Sequence, residues 1–217
     1  MKAVVFDLNG TLVDDIKFHF EAFKAIAEQV GFAMDEVIFQ STNGQKNADI
    51  FPRLLGREVG PSVVQTLADA KELRYRELYR PHMAPVAGAT ELFARLRDRG
   101  VKLAIASSAP DENRTMVLEG LGWSTTFDAV ILPHDLPGKP APDIYLAAAK
   151  TLGVEPEECI AFEDAFNGVK AAHDARMLVV GVTTNVPAAT LAEAGAALTI
   201  PDFTAPALAE LLARHNL

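Results

Sequence analysis

The segment Asp7-Leu-Asn-Gly-Thr-Leu-Val-Asp14 follows directly on an apolar run, Ala3-Val-Val-Phe6. Further along, apolar runs or the loops after them lead to Ser107-Ser-Ala-Pro, to Gly138-Lys-Pro-Ala-Pro-Asp143 and to Glu163-Asp-Ala-Phe-Asn-Gly168. Together these segments offer a carboxylate (Asp7), a hydroxyl (Ser107), a lysine (Lys139) and an acidic pair (Glu163, Asp164). That set suits phosphate chemistry. A carboxylate can attack phosphorus as a nucleophile, and carboxylate oxygens suit Mg²⁺, which can bring two anions together. A hydroxyl and an ammonium can bind phosphoryl oxygens as charge spreads over them. Taken singly, each residue has an ordinary structural explanation. Asp7 can serve a turn, Ser107 a helix cap, Lys139 a solvated loop, and Glu163 with Asp164 the positive end of a helix starting at 166. It is the joint set, in order and each member after a strand, that favours the chemical reading.

The elements that must position these residues are legible from pattern. Residues 3–7 read as a buried strand. Ile16, Phe20, Phe23, Ala27 and Val30, spaced by three and four, mark a helix face closed by Gly31. Helical patterns continue to about Tyr79, and Arg80-Pro-His-Met-Ala-Pro-Val-Ala-Gly88 breaks them with prolines and a glycine. Beyond it, strands at 102–106, 129–132, 159–162 and 178–182 alternate with helices at 89–99, 142–152, 166–175 and 188–194. The alternation predicts an α/β fold, a parallel sheet covered on both faces. A helical insertion at 16–80 follows the first strand. Ligands of such sheets bind beyond the carboxyl ends of the strands, which is where the candidate residues fall.

Composition narrows the partners. Twenty Lys and Arg against 29 Asp and Glu give a net charge of −9, with no basic run. A nucleic-acid or anionic-membrane partner is not expected of such a surface. No apolar stretch approaches the roughly 20 residues of a membrane span, and the first apolar run is too short for a signal peptide. The expectation is a cytoplasmic monomer acting on a small phosphorylated metabolite. The single Cys159 cannot form an internal disulfide and reads as a small core residue.

Asp7-x-Asn-Gly-Thr, Ser107, Lys139 and Glu163-Asp164, in that order, resemble the motifs of the haloacid-dehalogenase superfamily. The insertion resembles the small cap of its β-phosphoglucomutase and phosphoglycolate phosphatase subgroup, most closely in His19-Phe-Glu-Ala-Phe-Lys-Ala-Ile-Ala-Glu28. The resemblance spans nearly the whole chain. It implies a Rossmann-like core (1–15 and 81–217) under a helical cap domain (16–80), Mg²⁺ as cofactor, and a phosphoaspartyl intermediate at Asp7. It also implies metal ligation by Asp7, Asp164 and the backbone carbonyl of Asn9, with Glu163 in the outer shell. Gly10, Thr11, Ser107, Ser108 and Lys139 are then the expected phosphate contacts. His19, Gly44, Lys46, Asn47 and Lys71 are the expected substrate contacts of the cap. Dehalogenase chemistry is disfavoured, because those members do without Mg²⁺ and the metal carboxylates remain here.

Two departures from the family pattern matter. The subgroup's phosphatases carry an aspartate two residues after the nucleophile, which protonates the leaving oxygen and later activates water. This chain has Asn9, and an amide exchanges no proton near neutral pH. Three readings stay open: a replacement that slows turnover, a natural residue whose substrate has a good leaving group or whose proton comes from elsewhere (His19), and a binding module without catalysis. In the cap, the arginine by which β-phosphoglucomutases hold a distal phosphate falls on Asn47. A neutral amide is a poor substitute for a guanidinium, which favours a phosphatase over a phosphosugar mutase. Lys46 and Lys71 remain candidates to reach an anionic substrate.

Overall fold

The computed structural model describes residues 1–42, 45–56, 59–133 and 135–217. Gly44, expected in the cap's substrate contacts, lies outside them. Six strands form one parallel sheet: β1 (Ala3–Phe6), β2 (Lys102–Ala106), β3 (Ala129–Ile131), β4 (Cys159–Glu163), β5 (Leu178–Val182) and β6 (Leu198–Ile200), in the order β3-β2-β1-β4-β5-β6. The expected α/β fold is the observed one. β1 is central, in register with β2 and β4 so that Val5 sits between Ala104 and Ala161.

The two faces of the sheet differ in side-chain size, because residues alternate sides along a strand. Val4, Phe6, Leu103, Ile105, Ile160 and Phe162 face one layer; Ala3, Val5, Ala104, Ala106 and Ala161 face the other. On the bulky face lie α5 (Ala89–Asp98), α6 (Asp111–Gly120) and α10 (Pro206–Arg214). Phe6 stacks there on Phe162 at 5.1 Å and meets Phe93 edge-on at 5.3 Å. On the small face pack α7 (Asp143–Leu152) and α8 (Phe166–Asp174), whose own inward residues include Ala148, Ala149, Ala171 and Ala172. Small residues on both sides let helix and sheet approach closely. The short α9 (Ala188–Ala194) joins this layer through Leu191 and Ala194. Cys159 is buried in the same cluster, as expected of a core residue.

Between β1 and β2 the chain makes α1 (Ile16–Gln29), α2 (Glu36–Thr42), α3 (Asn47–Leu55) and α4 (Pro61–Tyr79). They enclose a separate apolar cluster that includes Phe23, Ile26, Phe39, Ile50 and Phe51. The outgoing and returning segments run side by side. Val86 N–H donates to the Leu12 carbonyl at 2.8 Å, and Val13 bridges to Pro85.

Three elements escaped the sequence reading. β6 spans only Leu198–Ile200, too few residues for a period. In α6 the buried set mixes Asn113 and Arg114 with Met116 and Val117, so no apolar stripe marks it. In α10 the signal was present, with Pro206 in the first turn and Leu208, Leu211 and Leu212 on one face.

Candidate active site

β1 and β4 are neighbours, so the residues after them meet: Asp7 follows the one, and Glu163 ends the other just before Asp164. Lys139 reaches in from the loop before α7. Its Nζ donates to Asp7 Oδ1 at 2.7 Å, to Glu163 Oε1 at 2.5 Å and to the Ala106 carbonyl at 3.1 Å. It is 3% exposed, so the solvated-loop reading of Lys139 is overturned. Tyr145 on α7 adds a hydroxyl to Glu163 Oε1 at 2.7 Å. Glu163 Oε2 accepts the backbone N–H groups of Asp164 and Ala165 at 3.0 and 3.3 Å. Glu163 is therefore held on both oxygens, as a positioning group.

Asp164 is held on one side only. Thr11 Oγ1 donates to its Oδ1 at 2.9 Å, whereas its buried Oδ2 has no hydrogen-bond partner. A buried unpaired carboxylate oxygen is costly. Oxygens of Asp7, Glu163 and Asp164 lie within 4.8 Å of one another. An all-oxygen cluster with an orphaned member fits a hard divalent cation. Burial pushes the Asp7 carboxyl up to about 7, opposed by Lys139 and reinforced by Glu163. Burial also raises Asp164 well above the usual carboxylate range, with Glu163 and Asp7 adding to the push. A bound cation would reverse both shifts.

Gly10 makes this packing possible. Its φ is +77°, and a Cβ there would collide with the Asp164 carboxylate. Gly10→Ala should therefore cost about 1–3 kcal/mol in backbone strain and displace Asp164. Urea unfolding should show the loss, and cation-dependent stabilisation should weaken with it. Unchanged stability and cation response would disprove this role.

Asn9 is engaged from behind. Its Nδ2 donates to Asp15 Oδ2 at 2.5 Å and to Tyr75 Oη at 3.1 Å, Tyr75 also donates to Asp15, and Gly10 N–H donates to Asp15 Oδ1 at 3.0 Å. Asp15 is fully buried, and burial raises it to about 6 against the pull of these donors. Ser107 Oγ accepts the Ala109 N–H at 3.2 Å, the turn role that a serine after a strand can play on its own.

A cavity of about 80 Å³ opens above these groups and runs up between the helices of the insertion. Asp7, Asn9, Ser107, Ser108, Glu163 and Asp164 form its lower part. His19, Asn47 and Lys71 contribute to the upper part, with Thr42, Gln45 and Glu72. Gly10, Thr11 and Lys139 support the floor from behind rather than line it. Lys46 turns away and donates to the Pro133 and Leu136 carbonyls, tying α3 to the sheet side. Glu72, Tyr75, Asp15 and Asn113 had not been singled out for the site. Their signal in the sequence is absent, since each looks like a polar residue of a helix surface or loop.

The fold and this site define a class. The family model for haloacid dehalogenase-like hydrolases matches residues 1–176, and the chain belongs to that family: it is an enzyme, a phosphohydrolase of the haloacid-dehalogenase superfamily. It is 34% identical over 196 residues to a β-phosphoglucomutase of Bacillus subtilis, covering 86% of this chain and 85% of that one. It is 30% identical to a phosphorylated carbohydrates phosphatase of Thermotoga maritima, covering 98% and 100%. The crystal structure of a β-phosphoglucomutase from Clostridium difficile superposes with a TM-score of 0.88 at 26% identity, covering 100% and 97%. Among the described residues, no helix is long and apolar enough to cross a membrane.

Proposed function

We propose that the protein hydrolyses small phosphorylated metabolites, sugar monophosphates among them, in a Mg²⁺-dependent reaction through a phosphoaspartyl intermediate at Asp7. The observation that carries this reading is the buried Asp7 carboxylate, fixed by Lys139 at 2.7 Å beside the unpartnered oxygen of Asp164. Relatives named as acting on phosphorylated carbohydrates support the substrate class.

In the first half-reaction an Asp7 oxygen attacks phosphorus. The bond from phosphorus to the ester oxygen breaks, and an acyl phosphate forms. Lys139 keeps the attacking carboxylate in place and offsets its charge, while the Ser107 hydroxyl and the Ser108 side are the proposed phosphate contacts; the Gly10–Thr11 turn, expected among them, instead holds Asp164 from behind. Asp7, Asp164 and the Asn9 carbonyl are the proposed Mg²⁺ ligands, with Glu163 behind them, and the ion would screen Asp7 from the incoming phosphate. In the second half-reaction water attacks the phosphoryl group, freeing phosphate and Asp7. Both halves move a proton, and the Asn9 amide can neither give nor take it. Poor leaving groups should therefore react slowly, and phosphorylated Asp7 should persist. We further propose that residues 16–80 act as a cap domain on a core of 1–15 and 81–217. Its hinges would lie near Asp14-Asp15 and Arg80-Pro81, and its closure would exclude water. A second reading, a catalytically weakened member of the family that chiefly binds its phosphometabolite, draws on the Asn9 amide bound to Asp15.

Metal dependence tests the proposal. EDTA should abolish turnover of an aryl phosphate, and Mg²⁺ should restore it. Mg²⁺ at a hundred times its Kd should stabilise the fold by about 2.7 kcal/mol, or raise Tm by roughly 5–10 °C for a chain of this size. The pH trend follows from Asp7, raised to about 7. Its contribution to metal-free stability is present below the ordinary carboxylate range and lost as pH rises toward 7. At one fixed Mg²⁺ concentration the increment should thus be larger at pH 8 than at pH 6, because protonation of Asp7 competes with the ion. Full activity in EDTA would overturn the mechanism. A Mg²⁺-dependent phosphate affinity with no turnover of any ester would favour the binding-protein reading.

A further inference from the structure

The upper end of the cavity carries an ion pair that the phosphatase mechanism does not use. Lys71 and Glu72 are adjacent on α4, and both are buried, at 3% and 5% exposure. Lys71 Nζ contacts Glu72 Oε1 at 2.9 Å and His19 Nδ1 at 2.8 Å, and lies 4.4 Å from the centre of the Phe23 ring. Glu72 Oε1 also accepts Asn47 Nδ2 at 2.6 Å. Its Oε2 accepts Asn113 Nδ2, from α6 of the sheet side, at 2.6 Å. Asn113 is in turn fixed by Arg76 at 2.9 Å.

Burial opposes the charge on Glu72, but the Lys71 ammonium beside it and the hydrogen bond from the Asn47 amide outweigh it and hold the carboxyl below the usual carboxylate range. Burial, helped by Lys71, lowers His19 well below its usual range, so the imidazole is neutral. The charges of Lys71 and Glu72 therefore cancel. Lys71 and the neutral His19 are the basic side chains among the described residues lining the cavity. The other candidate cation, Lys46, is committed to the Pro133 and Leu136 carbonyls. Thr42, Gln45 and Asn47 supply neutral hydrogen-bonding groups nearby.

We propose that Glu72 is a specificity-determining residue that cancels Lys71, so that the site takes a single phosphate on an uncharged, hydroxylated body and discriminates against bisphosphates. The proposal rests on the preceding reading for one point, that the reacting phosphoryl group sits at Asp7. A second phosphate at the far end would meet an ionised carboxylate and a lysine already neutralised. It would also have to give up its hydration without a free cation in return. A neutral polyol faces no such loss, because hydroxyls can exchange hydrogen bonds with the amides and the threonine.

Calorimetric titration of the full chain in Mg²⁺ with fructose 1-phosphate and with fructose 1,6-bisphosphate tests this. The monophosphate should bind at least tenfold more tightly. Glu72→Gln leaves Lys71 uncompensated and should shift the ratio toward the bisphosphate by at least tenfold, a gain that a merely damaged fold cannot produce. Asn47→Lys keeps the Glu72–Asn113 bond, adds a cation beside Glu72, and should move the ratio the same way. A wild-type protein that binds the bisphosphate as tightly as the monophosphate, or a ratio unmoved in whichever of the two variants folds, overturns the proposal. Turnover of an aryl phosphate is measured alongside: its absence counts against the phosphatase reading, while the affinity ratio still reads Glu72.

Discussion

Asp7→Asn should lower turnover of every phosphate ester by at least about 10⁴-fold, the scale seen when a covalent nucleophile is removed. The substitution keeps shape and volume at a residue that is 7% exposed. An amide oxygen does not form the acyl phosphate, and it is a weaker partner for a cation. Lys139 keeps Glu163 at 2.5 Å and the Ala106 carbonyl at 3.1 Å, so it is not left as a lone buried charge. The variant should therefore fold with a Tm close to that of the parent in metal-free buffer, where one of three clustered carboxylates has been neutralised. Rapid quenching with intact-protein mass measurement should show phosphate mass on the parent during aryl phosphate turnover and none on the variant. Mg²⁺-dependent turnover of the variant above about one per cent of the parent would remove Asp7 from the nucleophile's role.

Asn9→Asp should raise steady-state turnover by about 10²–10⁴, the usual worth of a general acid–base group, and most for alkyl phosphates, whose leaving oxygen needs a proton. The tertiary structure adds a condition to this gain. The Asn9 amide nitrogen lies 2.5 Å from Asp15 Oδ2, so the variant sets two carboxyl groups against each other with Tyr75 beside them. Two such groups share a proton, and they titrate as a pair. Asp15 already stands at about 6 opposite an amide. A carboxylate opposite it would hold the shared proton to higher pH still. At neutral pH the pair then has a proton to give to the leaving group, while the base form needed for the water step appears only as pH rises. The kcat profile of Asn9→Asp should therefore climb through the neutral range. In Asn9→Asp/Asp15→Asn, where the second charge is gone, the same limb should move to lower pH. If Asn9→Asp leaves turnover unchanged on every ester, another group supplies the proton. His19 is then the first to replace, although its Nδ1 is occupied by Lys71.

How far the sequence leads can be judged residue by residue. Asp7, Ser107, Glu163 and Asp164 are legible because each follows an apolar run, and strands that enter a parallel sheet deliver their carboxyl ends to one edge. The sheet and the helical insertion follow from period and length, and so does the meeting of Asp7 with Asp164, once β1 and β4 are neighbours. Lys139 was legible as a member of the set, but its burial between two carboxylates was not.

The tertiary structure alone decided how charge is arranged in the upper half of the cavity, although His19, Asn47 and Lys71 were expected there. Lys71 was a candidate cap contact by resemblance, but nothing marked Glu72 as its buried partner, because helical period reports where apolar side chains go and says nothing of a buried charge. Glu72 is tolerable inside only because donors arrive from Asn47, 25 positions away, and from Asn113, 41 positions away. Lys46 was a candidate to meet an anionic substrate, and it is bound instead to carbonyls 87 and 90 positions further on. Nothing in the sequence signals that Asn9 and Tyr75, six and 60 positions from Asp15, close around its carboxylate. The distinction has one physical cause. Hydrophobic burial is set by composition and period along the chain, whereas the charge state and orientation of a buried polar group are set by the few donors and acceptors that folding brings within about 3 Å of it.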